Sequence, residues 1–313
     1  MRDSRYIGRV GALAVALGIG TGLAAAPWVA CAAPSDNSRA NVSVSTNGVP
    51  RVQIGTARSS ADGLHSLAIA HGADSSAAAS GDFNKAIANG GGSEAIVTGT
   101  GNTGIVIGDN SVVHITGPGF NNKAFVSGNN STATVGNGFN NKAIVVGNDS
   151  VAQAENGNNN TASVHGDFSG AGASNGNNNT AIVVGDDSRA ATNLFAPNGD
   201  NNAASVHGNS SDAFTGVGSN NTATVTGDGT RDSNGASSTA AFAGEGNNNT
   251  ATVDGNDSTA AAIGNDNTAT VDGNASTAVA GPGDDNTATV TGDGLSTTAT
   301  GGVTRVCPPD CDP

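Results

Sequence analysis

The segment Phe120-Asn-Asn-Lys123-Ala returns as Phe139-Asn-Asn-Lys142-Ala, 19 residues later. That recurrence constrains the fold more than any other feature, because a fixed period of this length is the signature of stacked repeats. An Asn precedes a Lys, Thr or Ala at eleven such places: Asn84, Asn102, Asn122, Asn141, Asn160, Asn179, Asn202, Asn221, Asn249, Asn267 and Asn286. Successive copies lie 18, 20, 19, 19, 19, 23, 19, 28, 18 and 19 residues apart. The two long intervals contain Leu194-Phe195-Ala-Pro and Gly229-Thr-Arg-Asp-Ser, which read as loops inserted into a regular stack.

Within each copy, fixed and variable positions alternate. The residue after the marker is Ala in ten copies and Gly104 in the other. Two residues further lies Val in ten copies and Ala88 in the other. The slot between them drifts through Ile87, Phe125, Ile144, Ser163 and Thr252. Alternation of this kind has period two, which means a β-strand with its fixed small side chains inward. A second strand, Ser-x-Ala-x-small, lies between the first ones, and its Ser appears in every interval. Examples are Ser131-Thr-Ala133-Thr-Val135, Ser150-Val-Ala152-Gln-Ala154 and Ser276-Thr-Ala278-Val-Ala280, and the same Ser reads as Ser238 and Ser296 in two others. Gly-Asn-Asn and Gly-Asn-Asp clusters separate the strands and supply the positive φ of tight turns. No segment has helical periodicity. The prediction is an all-β chain, a parallel β-solenoid with two short strands per roughly 19-residue rung. Eleven or twelve turns about 4.8 Å apart make a rod roughly 55 Å long.

Each Asn is expected to stack on the next, so that Asn122, Asn141, Asn160 and Asn179 form an inward ladder beside Val126 and Val145. Composition agrees with a thin core: 3% of residues are aromatic, and 47 are Gly. Disorder is the rival reading of such a composition. The constant phase of the Ala and Val slots argues against it, since a solvated linker has no reason to keep phase.

Four segments are expected. Residues 1–32 read as a signal peptide, with Arg2, Arg5 and Arg9 before an apolar run from Val10 to Ala26 and a cleavage site at Ala30-Cys31-Ala32. Cleavage removes three Arg and Asp3 from a chain of net charge −14, leaving −16 and no membrane span. Residues 33–60 read as an N-terminal cap or linker, with a hairpin around Asn47-Gly48. Residues 61–302 are the solenoid. Residues 303–313 form a tail whose Cys307 and Cys311 are spaced for a small disulfide loop in an exported protein.

The order Ser131-x-Ala-x-Val-x-x-Gly-x-x-Asn141-x-Ala-x-Val resembles the curlin repeats over about Gly81 to Gly301. The resemblance implies an extracellular β-solenoid subunit that assembles into amyloid fibres of biofilm matrix. One departure stands out. Where curlins place Gln, this chain has mostly Gly, as at Gly128 and Gly147, which removes the Gln ladders.

Catalytic motifs dissolve on inspection. Gly99-Thr-Gly101-Asn-Thr-Gly104 leads into a strand and not a helix, and Gly172-Ala-Ser174-Asn-Gly176 lacks the strand-turn-helix setting of a nucleophile elbow. The five His do not cluster; His165 and His207 occupy equivalent slots two rungs apart. No enzyme, cofactor or metal site is expected, and the acidic balance excludes a nucleic-acid footprint. The outward slots are more informative. Thr250, Thr252, Thr268, Thr270, Thr287 and Thr289 make a flat Thr-rich face in the last rungs, a candidate surface for ice or polysaccharide. The earlier rungs carry Lys85, Ile87, Ile105, Lys123, Phe125, Lys142 and Ile144 there instead. The resulting expectation is a secreted, non-catalytic structural or adhesive protein of the cell surface or extracellular matrix. Its expected partners are further copies through the solenoid ends, or a matrix polysaccharide.

Overall fold

Lys142-Ala-Ile-Val-Val alternates between exposed or half-exposed and fully buried side chains, Ala143 and Val145 facing in. The same alternation recurs throughout a computed structural model of the chain, which describes residues 41–193, 199–233, 235–309 and 311. The predicted signal peptide and the Leu194-Phe195-Ala-Pro insertion lie outside these residues. Every regular element among the described residues is a β-strand. The strands form a parallel β-solenoid of two facing sheets, here termed the Asn sheet and the Ser sheet after the residue that precedes most of their strands.

The Ser sheet has thirteen strands and the Asn sheet fifteen. Two of the fifteen, β1 (Val42–Thr46) and β2 (Val49–Ile54), are the hairpin at Asn47-Gly48, so thirteen strands of each sheet make thirteen turns. Pairing between turns is in register: Lys123, Ala124, Phe125, Val126 and Ser127 lie beside Lys142, Ala143, Ile144, Val145 and Val146. At about 4.8 Å per turn the stack is about 58 Å long.

The two turns beyond the eleven Asn markers sit at the ends. In the first, made by β3 (Arg58–Asp62) and β4 (Leu67–His71), Ser66 stands where Asn would be. In the last, Val303 stands there, and Thr304–Cys307 pairs with Thr287–Thr291. The solenoid strands therefore pass both of the expected bounds, 61 and 302, and the expected tail supplies the final strand.

The core is one continuous column of Ala and Val, each almost wholly excluded from solvent. Small side chains let the two sheets lie close, and exceptions are matched across the gap. Gly104, the one departure from Ala in its slot, faces Val97 and Val113; a Cβ built there would stand 2.7 Å from a methyl of each. The turns are tighter still. Gly147 has φ +151°, and a Cβ on it would stand 1.9 Å from the carbonyl oxygen of Gly166 in the next turn. Backbone packs directly on backbone here, which is why this position holds Gly and not the Gln of the curlin pattern.

The expected outcome is a contrast between two glycines. Gly147→Ala lowers unfolding stability by at least about 2 kcal/mol. Gly170→Ala, where a Cβ meets nothing within 4 Å, leaves it unchanged or raised by up to about 1 kcal/mol. Denaturant midpoints of the two variants check this; equal losses would contradict the packing described.

Candidate functional site

The site is best built outward from the ladders that hold the faces flat. Asn141 is buried, and its N–H donates to Asn122 Oδ1 at 2.8 Å. Its own Oδ1 accepts the N–H of Asn160 at 2.9 Å, and its Nδ2 donates to Gly157 O at 2.6 Å. Asn160 repeats this with Asn179 and Gly176. The series runs unbroken from Ser66 Oγ, which accepts the N–H of Asn84, to Asn286 Oδ1, which accepts the N–H of Gly302. Thus Asn122, Asn141, Asn160 and Asn179 do form an inward ladder, and Val126 and Val145 are buried beside it. The bonding differs from a stack of amide on amide. Nearly every rung-to-rung bond joins a side chain to backbone, so each Asn satisfies main-chain groups that the turn would leave unpaired.

Sequence reading gave the Ser sheet no ladder of its own. Ser131 N–H donates to Ser111 Oγ at 3.1 Å, and Ser131 Oγ donates to Gly147 O at 2.8 Å. Ser150, Ser169, Ser188 and Ser211 continue the series. The signal was present, since the Ser recurs in every interval. Two of its expected members are displaced. Thr239, buried, pairs with Ser211 in place of Ser238, because the long insertion shifts the phase by one residue. Ser296 takes an outward slot beside Thr277, and Leu295 N–H meets Ser276 Oγ.

That insertion is tied down by Arg231. Its guanidinium holds the carboxylate of Asp212 with two bonds, 2.9 and 3.2 Å, and reaches Asp187 at 3.1 Å. Arg231 is 10% exposed and Asp212 9%. Burial opposes the charge on Arg231, but the hydrogen bond and charge of Asp212, with those of Asp187, hold its pKa above the ordinary value. Asp212 occupies an outward slot of the Ser sheet, so the loop covers that sheet locally and leaves the Asn sheet free.

Among the described residues, the outward slots of the Asn sheet stay in register from Leu67 to the last strand. Its last turns carry two Thr columns in register. Thr222, Thr250, Thr268 and Thr287 form one; Thr224, Thr252, Thr270 and Thr289 form the other. All are half-buried by their neighbours. The columns sit two residues apart along each strand, about 7 Å, and repeat about every 4.8 Å. Asp254 and Asp272 stand beside them in the third outward slot. In the earlier turns the same slots place Lys85, Thr103, Lys123 and Lys142 in one column, and Ile87, Ile105, Phe125 and Ile144 in the next. Phe83, Phe120 and Phe139 project from the adjoining edge, 58%, 53% and 54% exposed.

Among the described residues, no three His, Cys, Asp or Glu are grouped to hold a metal ion. His165 and His207 flank Val184 in one outward column, two turns apart. Among the described residues no helix is long and apolar enough to cross a membrane. No protein-family model and no curated protein matches the chain.

Proposed function

We propose that this chain is a non-catalytic structural or adhesive rod of the cell surface or extracellular matrix, which keeps curlin-like repeats but closes its ends and works through its sides. The observation that carries this reading is the chemistry of the two ends. At the N-terminal end, β1 pairs antiparallel with β4 and turns Ser43 and Ser45 into the Ala columns. Ser43 Oγ donates to Gln53 Oε1 at 2.7 Å and lies 2.7 Å from Ser59 Oγ, while Ser45 Oγ accepts the N–H of Ala61. The outermost strand, β2, carries Pro50 and Arg51, residues that discourage further pairing.

At the C-terminal end, the Ala column is closed by Arg305, in register with Ala288, and by Thr297, in register with Ala278. An inward-pointing charge on an edge strand is a known way to block edge-to-edge growth. Cys307 takes the Val slot and is joined to Cys311 by a disulfide, Cα–Cα 5.4 Å, while Pro309 lies against Gly292. Both ends thus oppose the rung-on-rung addition that curlin-like fibres need. The leader expected from the sequence supports an extracellular setting.

The test is electron microscopy of the chain from Ala33 onward across a wide concentration range. Discrete rods about 60 Å long, with no fibres, are expected; fibres lengthening with concentration would overturn the capped reading.

A second reading rests on the eight Thr held in register. A rigid hydroxyl array of this regularity suits a periodic ligand, either ice or an ordered polysaccharide. Thermal hysteresis, or retention on an insoluble polysaccharide, should be lost in Thr252→Leu/Thr270→Leu if the array is the binding surface. Unchanged binding in that variant would dismiss it.

A further inference from the structure

The charge of this rod is divided unevenly along its length. Residues 41–145 carry five Lys or Arg and five Asp or Glu; residues 146–313 carry three and nineteen. The chain has only three Lys, and all of them, Lys85, Lys123 and Lys142, lie in one outward column of the Asn sheet. No outward slot of that sheet from Lys85 to Val146 holds an acid. None of the three Lys has a carboxylate within 4.0 Å among the described residues. Around them lies an apolar surface made by Ile105, Ile107, Phe125, Ile144 and Val146, an unusual patch to leave in water.

The C-terminal half of the same face is its complement. Asp254 and Asp272 stand in outward slots there. Asp266, Asp284 and Asp285 line the edge next to the Thr columns, the edge that bears Phe83, Phe120 and Phe139 in the N-terminal half. A single chain therefore carries both a Lys/apolar surface and a Thr/Asp surface, end to end on one flat face.

We propose that two copies of this chain pair side by side and antiparallel through the outward face of the Asn sheet, the N-terminal half of each lying on the C-terminal half of the other. A two-fold contact of this kind is isologous, so both complementary pairs form at once. Apolar matching alone would lay the two N-terminal halves on each other, but that sets Lys against Lys with no acid in the outward slots and only Asp82 on the adjoining edge. Parallel pairing likewise lays the Lys-bearing half on its own copy and the acidic half on its own copy. Full antiparallel overlap places each Lys column opposite the partner's Thr columns and acidic edge. Its two-fold axis then falls at the seventh of the thirteen turns, the strand Thr180–Val184. There Ile182 meets its own copy.

This pairing rests on the capped rod proposed above, and the two fail differently: fibres refute the cap, whereas isolated single rods refute only the pairing. Sedimentation of the full chain at low salt is expected to show a dimer. It should weaken at about 1 M salt, where the Debye length falls to about 3 Å. The triple variant Lys85→Glu/Lys123→Glu/Lys142→Glu should weaken it at least about tenfold in Kd. Reversing the partner surface in that background, with Asp254→Lys/Asp266→Lys/Asp285→Lys, should restore it. A short thiol-specific bifunctional cross-linker should link Ile182→Cys to its copy but not Ile105→Cys, since facing sheets lie about 10 Å apart, beyond the reach of a direct disulfide. Circular dichroism confirms that each variant keeps its strands. A monomer at every concentration, a dimer indifferent to charge reversal, or linkage through Ile105→Cys in place of Ile182→Cys would each overturn the proposal. So would a monomer that instead binds an anionic polysaccharide through the same Lys.

Discussion

The bond from each buried Asn to the backbone of the next turn is the constraint on which the rest of this structure depends. Asn141 Oδ1 takes the N–H of Asn160, and Asn141 Nδ2 reaches Gly157 O. Both bonds run toward the same neighbouring turn. Most backbone groups at a turn pair with the next turn, but the N–H of Asn160 and the C=O of Gly157 have no backbone partner, and burying such groups unpaired costs about 1–3 kcal/mol each. A core of Ala and Val buries little apolar area per residue, so it offers little to offset such a cost. The ladder removes the cost turn by turn. It also fixes the Gly columns, because a side chain can reach the next turn's carbonyl only if the backbones nearly touch there.

Once the interior is settled by Asn, Ser, Ala, Val and Gly, the outward slots are free to carry function. Their drift is what lets one half of the Asn sheet's outward face carry Lys and apolar side chains and the other Thr and Asp while the strands stay in register. The same economy explains the ends. The terminal turns break the pattern with polar residues in register with the Ala slots: Ser43 and Ser45 at one end, Arg305 and Thr297 at the other.

Much of this was legible in the sequence because the Asn of the ladder recurs unchanged in eleven copies. The strands, the inward Ala and Val slots and the in-register Thr columns all follow from period two within a period of about 19. The first and last turns were hidden, since Ser66 and Val303 replace the Asn that marks a turn. The acceptor of each Asn amide was hidden too: a repeat shows which residues form a column but not whether they bond to one another or to the backbone between them. Ser238 and Ser296 were misplaced because an insertion resets the phase and only pairing reveals it. Arg231 and Asp212 left no periodic trace, since their contact belongs to one loop and one turn.

The most direct test of the ladder is nuclear magnetic resonance detection of scalar coupling across its hydrogen bonds, in isotope-labelled chain. The backbone amide nitrogen of Asn141 should couple to the side-chain carboxamide carbon of Asn122, and that of Asn160 to the carboxamide carbon of Asn141, with both amides slow to exchange with solvent. Rapidly exchanging Asn141 and Asn160 amides, without coupling to the preceding Asn side chain, would contradict the account at its foundation.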